Sequence, residues 1–284
     1  MNRAGARAIA IGLVAAALAA GPAQAAEPTA TEILAQNVAA RGGLEAWRKI
    51  ETMVWVGQID SARAPVPDMR FVLEQKRPNK TRLEIHALGQ GSMRVFDGTH
   101  GWKARPGRGQ ADIQPYSPQE TRFAQAGHGF DGPLIDAALR GLPVALVSLD
   151  ELGGRKAYHL KVHPVKGPEE DVWVDAQTHL DVRHDRVAEG PAGEKRRVTV
   201  TYGDYRAVEG LQIPFLIESG ADSGTPDKMK LETVLLNPPL DDTVFANPGN
   251  PRRHDLARSG PHPSPATPPP SATAASAGPG MAGP

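Results

Sequence analysis
A period of two runs through this chain and limits what it can fold into more than any other feature. Segments such as Met69–Lys76, Thr81–Ala87, Ala157–Val162, Val198–Tyr202 and Met229–Leu235 alternate apolar and polar residues. Successive side chains of a strand point to opposite faces, so this pattern marks half-buried antiparallel strands, greasy on one side and wet on the other. Reading alternate positions gives the apolar face: Phe71 and Leu73; Leu83 and Ile85; Met93 and Val95; Tyr158, Leu160 and Val162; Val172 and Val174. It continues with Val198, Val200 and Tyr202; Ile213, Phe215 and Ile217; Met229, Leu231 and Leu235. Arg70, Glu74, Lys76, Arg82, Glu84, Lys161, Glu218, Lys230 and Glu232 fall on the opposite face.

Between the strands lie a few helical stretches. Thr29 or Thr31 can cap a helix carrying Ile33, Leu34, Val38 and Ala39, which Gly42-Gly43 stops before a short piece over Leu44–Ile50. Pro118–Ala126 and Pro133–Arg140 begin with the proline that first helical turns favour, and Leu134, Ile135, Ala138 and Leu139 form an apolar stripe on the second. Turn chemistry at Asp97-Gly98, Gly153-Gly154 and Glu209-Gly210 separates the strands. The expected fold class is therefore mainly β with a few helices (α+β), a meander of about eleven or twelve strands forming one large curved sheet. So few helices leave part of the apolar face either self-filled or open to an apolar guest.

The ends of the chain have a different character. Arg3 and Arg7 precede an apolar run, Ala8–Ala20, then Gly21-Pro22 and the small-residue site Ala23-Gln24-Ala25. Residues 1–25 read as a secretory signal peptide cleaved after Ala25, the alternative being an uncleaved anchor, and no other segment is long and apolar enough to span a bilayer. The mature chain is expected to be exported, soluble and monomeric. It has no cysteine, which excludes disulfides, thiolate metal ligands, thiol nucleophiles and a lipid-modified N-terminal cysteine. Residues 27–248 have the punctuation of one globular domain. From 249 to 284 the chain turns rich in Pro, Ala, Ser and Gly; it reads as a disordered tail, or as a spacer helped by Pro268-Pro269-Pro270.

Charge and motifs exclude more than they include. Without Arg3 and Arg7 the chain holds 30 basic against 32 acidic residues, so there is no basic footprint for nucleic acid. The run Lys195-Arg196-Arg197 is short and reads as a solvated hairpin end. There is no H-E-x-x-H, G-x-S-x-G or phosphate-binding glycine loop. Two histidine groups, His159 with His163 and His179 with Asp181 and His184, read as strand histidines more readily than as metal ligands. Asp241-Asp242 reads as a turn cap, and Trp55, Trp102 and Trp173 as packing residues. The expectation is a protein with no catalytic residue, no metal and no cofactor.

Several pieces resemble one family in order along the chain. They are Gly42-Gly43-Leu44-Glu45-Ala46 with Lys49-Ile50; Asp97-Gly98-Thr99-His100-Gly101-Trp102; and Val172-Trp173-Val174-Asp175 with Thr178 and Leu180. Tyr205-Arg206 with Val208-Glu209-Gly210 and Ile213-Pro214 follows, and then Leu236–Phe245. The set is similar to the broad LolA/LolB-like superfamily of outer-membrane lipoprotein-sorting proteins. The resemblance implies an unclosed antiparallel β-barrel covered by helices, a periplasmic location, and a cavity holding the acyl chains of lipid or lipoprotein cargo. It also implies a second use, because a related fold serves as a sensor domain that docks to an envelope protein. No position here matches the family carrier's cavity-closing arginine. The candidate cavity lining is Phe71, Leu73, Leu83, Ile85, Val95, Tyr158, Leu160, Val162, Val172, Val174, Val200, Ile213, Phe215 and Leu231. Burying a chain of about 16 carbons at ~0.8 kcal/mol per methylene yields on the order of 12 kcal/mol gross, so no further chemistry is required for binding. Three readings stand: a carrier, a sensor or scaffold, and a histidine-based hydrolase.

Overall fold
The computed structural model describes residues 27–249, apart from 63, 65, 108, 166, 190–193 and 222–223. The expected signal peptide and all but the first residue of the expected tail lie outside the described residues.

Among the described residues, thirteen strands form a single antiparallel sheet. The first meander is β1 (Thr52–Asp60), β2 (Met69–Lys76), β3 (Lys80–Ala87), β4 (Gln90–Phe96), β5 (Gly101–Arg105) and β6 (Asp112–Pro115). The second is β7 (Val144–Leu152), β8 (Arg155–Val162), β9 (Glu170–Asp175), β10 (Asp181–Glu189), β11 (Lys195–Val208), β12 (Leu211–Ala221) and β13 (Asp227–Leu236). Each strand pairs with its sequence neighbour, and the two meanders are joined by β1 against β13. The outermost strands, β6 and β7, do not pair with each other, so the sheet is unclosed. Thirteen strands replace the eleven or twelve expected. The missed one is β6, whose four residues Asp-Ile-Gln-Pro are too short and too polar to show an alternation.

The helices lie where caps and periodicity put them. α1 (Ala30–Ala40) starts in a capping box: Thr29 Oγ1 accepts from the Glu32 backbone N–H, and the Glu32 carboxylate accepts from the Thr29 N–H. α2 (Leu44–Arg48) follows the turn at Gly42-Gly43. α3 (Pro118–Gln125) has a second capping box, between Ser117 and Glu120. α4 (Pro133–Arg140) ends at Gly141 in the left-handed conformation, φ 64°.

α4 packs on β8 and β9 and on α1 and α2, while α1 also reaches β7. Under them lie two apolar clusters. One joins Trp47, Ile50, Phe130 and Ile135 to Met53, Phe71, Leu211, Ile213, Phe215 and Leu231. The other joins Ile33, Leu134, Ala137 and Leu142 to Leu160, Val162, Val172 and Val174. The side of the sheet beneath the helices is the inner face.

Two arginines fasten this cover. Arg41, at the end of α1, is buried and pairs with Asp181 at 2.5 Å; its Nε donates to the Gln212 carbonyl at 3.0 Å. Asn37 of the same helix donates to the His179 carbonyl and to Asp181. Arg77, on the turn between β2 and β3, grips both oxygens of Asp131 at 2.6 and 2.7 Å and donates to the carbonyls of Ile50 and Trp47. Such bidentate pairing fixes orientation as well as distance.

The outer face has a cover of its own. After β13, Pro238 O accepts from Thr52 Oγ1, Leu240 O from Lys76, and Asp242 pairs with both Lys76 and Lys80. A 3-10 turn over Asp242–Phe245, capped by the Asp241 side chain, then buries Phe245 completely against this side.

That strap explains one misplacement. Cross-strand partners share a face, and Leu83 pairs with Arg94 while Arg82 pairs with Val95. Val95 and Met93 therefore point outward, and the inward residues of β4 are Ser92, Arg94 and Phe96, of which Phe96 alone is apolar. Val95 is buried, 1 % exposed, but on the side of Trp102 and the strap, so it does not share a face with the other thirteen candidates. A register shift moves Leu235 as well. Val56 pairs with Thr233 and Gly57 with Leu231, so Glu232 is the extra residue of a bulge; Leu235 turns outward and is 43 % exposed.

At that bulge the seam between the meanders is tight. A Cβ on Gly57 would lie 2.1 Å from the Lys230 carbonyl oxygen and 2.9 Å from Leu231 Cα, both backbone atoms that cannot step aside. Gly57→Ala is predicted to destabilise the domain by about 1–3 kcal/mol, the usual scale of overpacking. A denaturant melt checks this, and an unchanged midpoint would contradict the tight seam.

Candidate functional site
The inner face is sealed unevenly. Among the candidate residues Phe71, Leu160, Val162, Val172, Val174, Ile213, Phe215 and Leu231 are buried beneath α1, α2 and α4. Tyr158 is half-buried against the second cluster, and Leu73, Leu83, Ile85 and Val200 are half-buried against the first. Trp55, Ile59, Tyr202 and Met229 share that state. Register puts several of these side by side: Ile59 opposite Met229, Met229 opposite Ile217, Ile217 opposite Tyr202, and Leu73 opposite Leu83. The sequence set thus divides into a closed core and a wettable apolar strip.

α3 is the element over the mouth of this face. It touches β5 on one side and β10 on the other, and none of its residues is buried. Glu120 is held by Lys103 at 3.0 Å and Arg94 at 3.1 Å, from the inner faces of β5 and β4. At the other end the Phe123 ring lies 4.3 Å from the Arg186 guanidinium of β10. Phe123 remains 47 % exposed. Burial would raise the Glu120 carboxyl, but the Ser117 backbone N–H and the Lys103 and Arg94 cations outweigh it and hold it at about 2. At its end the Asn79 side chain donates to the Ala124 carbonyl at 2.9 Å. A helix fastened by such polar contacts, without a buried side chain, is more easily displaced than α1 or α4, which bury apolar residues.

A polar cluster sits on the inner face beside it. His128, on the segment between α3 and α4, has Nε2 2.7 Å from Glu170 Oε2 and Nδ1 3.0 Å from Asp136 Oδ2. His184 Nε2 lies 2.7 Å from the same Glu170 oxygen. Burial would lower His128, but hydrogen bonds to Asp136 and Glu170 raise it to about 9. Burial would raise Glu170, and the two imidazoles bring it down to about 2. Arg186, two residues beyond His184, has its ionisation pulled down by burial, and its Nε has no hydrogen-bond partner among the described residues.

The histidines singled out in the sequence sit elsewhere, His184 excepted. His159 stacks on Trp173 at 4.3 Å on the outer face and lies 2.8 Å from Asp171. His163 pairs with Glu169 at 3.0 Å. His179 contributes its carbonyl to Asn37, and Asp181 is taken by Arg41. A polar concavity of about 540 Å³ opens on the opposite side, between Lys80, His100, Trp102, Asp242 and Phe245, and none of the fourteen candidates lines it.

No protein-family profile matches the chain. No curated protein matches it either. Solved structures do. A domain assigned to outer membrane lipoprotein sorting, from Vibrio parahaemolyticus, superposes with TM-score 0.51 at 11% identity, covering 75% of this chain and 94% of that one. A DUF1329 family protein from Desulfovibrio piger gives TM-score 0.52 at 10% identity over 76% and 97%. The chain shares the fold of these two structures. A LolA superfamily protein from Nitrosomonas europaea is also similar, at 16% identity and TM-score 0.48 over 78% and 98%. The Vibrio and Desulfovibrio likenesses agree with the expected architecture of a mainly antiparallel β fold with a few helices. Among the described residues no helix is long and apolar enough to cross a membrane.

The α3 fastening carries a pH signature. Glu120 is depressed from 4.5 to about 2, so its contribution is present above about pH 4.5 and lost as pH falls through 2. Glu120→Gln removes the ion pairs to Lys103 and Arg94 at neutral pH while keeping an acceptor oxygen for the capping box, at a local cost of about 1–2 kcal/mol. Amide exchange over residues 118–125 is expected to speed up roughly tenfold in the variant. In the wild type the same acceleration is expected only in acid. Equal protection in both proteins at neutral pH would contradict the fastening.

Proposed function
We propose that the chain is an exported, non-enzymatic carrier or binder of lipids or lipid-modified proteins, working in the periplasm and taking acyl chains onto the inner face of its half-open sheet. One observation carries the reading. The strip formed by Leu73, Leu83, Ile85, Val200, Tyr202 and Met229 is apolar yet only half-buried, and the helix next to it has no buried residue. Displacing α3 breaks ion pairs that water replaces readily, while the strip gains apolar contact with a guest. Met229 at its centre adapts to chains of different shape. The LolA-like fold supports a carrier through the name of the Vibrio domain, which concerns lipoprotein sorting.

A second reading is a sensor or scaffold that docks to an envelope protein. It is favoured by edge strand β7, where Val147 and Leu149 are each 50 % exposed.

The test is mass spectrometry of lipids extracted from protein purified from periplasm without detergent. The carrier reading expects a reproducible acyl species near one per chain, reduced severalfold in Ile85→Trp, which fills the strip from a half-buried position. Lipid-free protein that also rejects added fatty-acyl probes would overturn it and favour docking through β7.

A further inference from the structure
The polar cluster on the inner face has an arrangement that acyl binding does not call for. Glu170 and His184 occupy inward positions on β9 and β10 that the alternation reserves for apolar side chains. Their cross-strand partners are Val162 for Glu170, and Val172 and Val200 for His184. His128 comes from the segment before α4, so three separate elements deliver two imidazoles and one carboxylate to one point. The donor atoms of the three residues all lie within 4.8 Å of one another. Their side chains are 12 %, 10 % and 5 % exposed for His128, Glu170 and His184, so the point is sheltered without being sealed.

We propose that His128, Glu170 and His184 form a binding site for a divalent zinc-class ion. Two imidazole nitrogens and a carboxylate oxygen suit Zn²⁺, leaving a fourth position for water. Tetrahedral zinc holds such donors about 3.3 Å apart. Each imidazole nitrogen now stands 2.7 Å from the carboxylate oxygen and the three donors lie within 4.8 Å of one another, so the ion enters as the carboxylate backs away and the imidazoles adjust around it. The outer contacts have the form that metal-bound histidines use. His128 presents its other nitrogen, Nδ1, to Asp136, which would fix the ring with Nε2 aimed at Glu170. Arg140 in turn reaches Asp136 at 3.1 Å. Glu170 and Asp136 together match the charge of the ion, and Val162, Val172 and Val200 surround the inward positions with apolar side chains. The alternative is a hydrogen-bonded cluster that only ties the segment before α4 to the sheet. It makes a different prediction for metal uptake.

The experiment takes chelator-stripped mature protein and titrates it with zinc chloride, reading stoichiometry by equilibrium dialysis with elemental analysis. One zinc per chain is expected. Cobalt chloride in its place should give the strong visible bands of a four-coordinate Co²⁺ centre. His128→Gln and Glu170→Gln, each checked for a native circular dichroism spectrum, should lose zinc binding. Asp136→Asn, which keeps the three ligands and loosens His128, should weaken it by roughly 10–100-fold. His163→Ala, away from the cluster, should leave it unchanged. Folded wild type that takes up no zinc overturns the proposal and leaves the cluster as a tie. Zinc uptake that survives in both ligand variants, or an undiminished zinc affinity in Asp136→Asn should the ligand variants not fold, overturns it equally. The readout involves no lipid, so it stands or falls apart from the carrier reading.

Discussion

The inner face of this sheet is broader than the helices available to cover it, and most of the structure follows from that mismatch. Thirteen strands with one apolar side present more greasy surface than α1, α2 and α4 can seal. The cover is concentrated over β7–β9 and the sheet centre, where Leu160, Val172 and Ile213 are almost wholly buried. What remains, around Ile85, Val200 and Met229, is left half-wet. A conventional core would have closed there with large side chains. This one is bordered by a polar-fastened helix.

Placing so small a cover requires direction, which apolar contact alone does not provide. Arg41 with Asp181 and Arg77 with Asp131 supply it, each tying a helical segment to a fixed point of the sheet. The Arg41 pair is nearly inaccessible to water, so removing one partner would leave a buried charge, a loss of about 3–5 kcal/mol. The pairs act as registration devices that keep α1 and the segment before α4 from sliding over an apolar face with no preferred position. The strap from Asn237 to Phe245 does the same for the outer face of the first meander, using Asp242 between Lys76 and Lys80.

Much of this was legible in the chain. Alternation located twelve of the strands, and the proline and glycine around residues 133–141 bounded α4 at Pro133–Arg140. The motifs at Gly42–Ile50 and Asp97–Trp102 pointed to the fold. Parity failed where a strand is buried on both sides: Val95 and Phe96 are each about 1 % exposed, and only the partner strand reveals which of them faces in. It failed again at Glu232, where a bulge reverses the alternation for Leu235. The histidine cluster was missed because His128 and Glu170 are 42 residues apart in sequence. A signal existed, since Glu170 and His184 both break the apolar parity of their strands, but nothing local named His128 as the third member. The arginine clamps left no local trace at all.

Apolar strip, displaceable helix and buried polar cluster lie on one face, and the account stands on the strip being where a guest sits. The most direct measurement is photocrosslinking with a fatty acid carrying a diazirine along its chain, followed by mapping of the labelled peptides. The account predicts labels in β3, β11 and β13, at or beside Ile85, Val200 and Met229. Labels confined to the outer concavity near Trp102 and Phe245, or no labelling above that of a shuffled-solvent control, would contradict it.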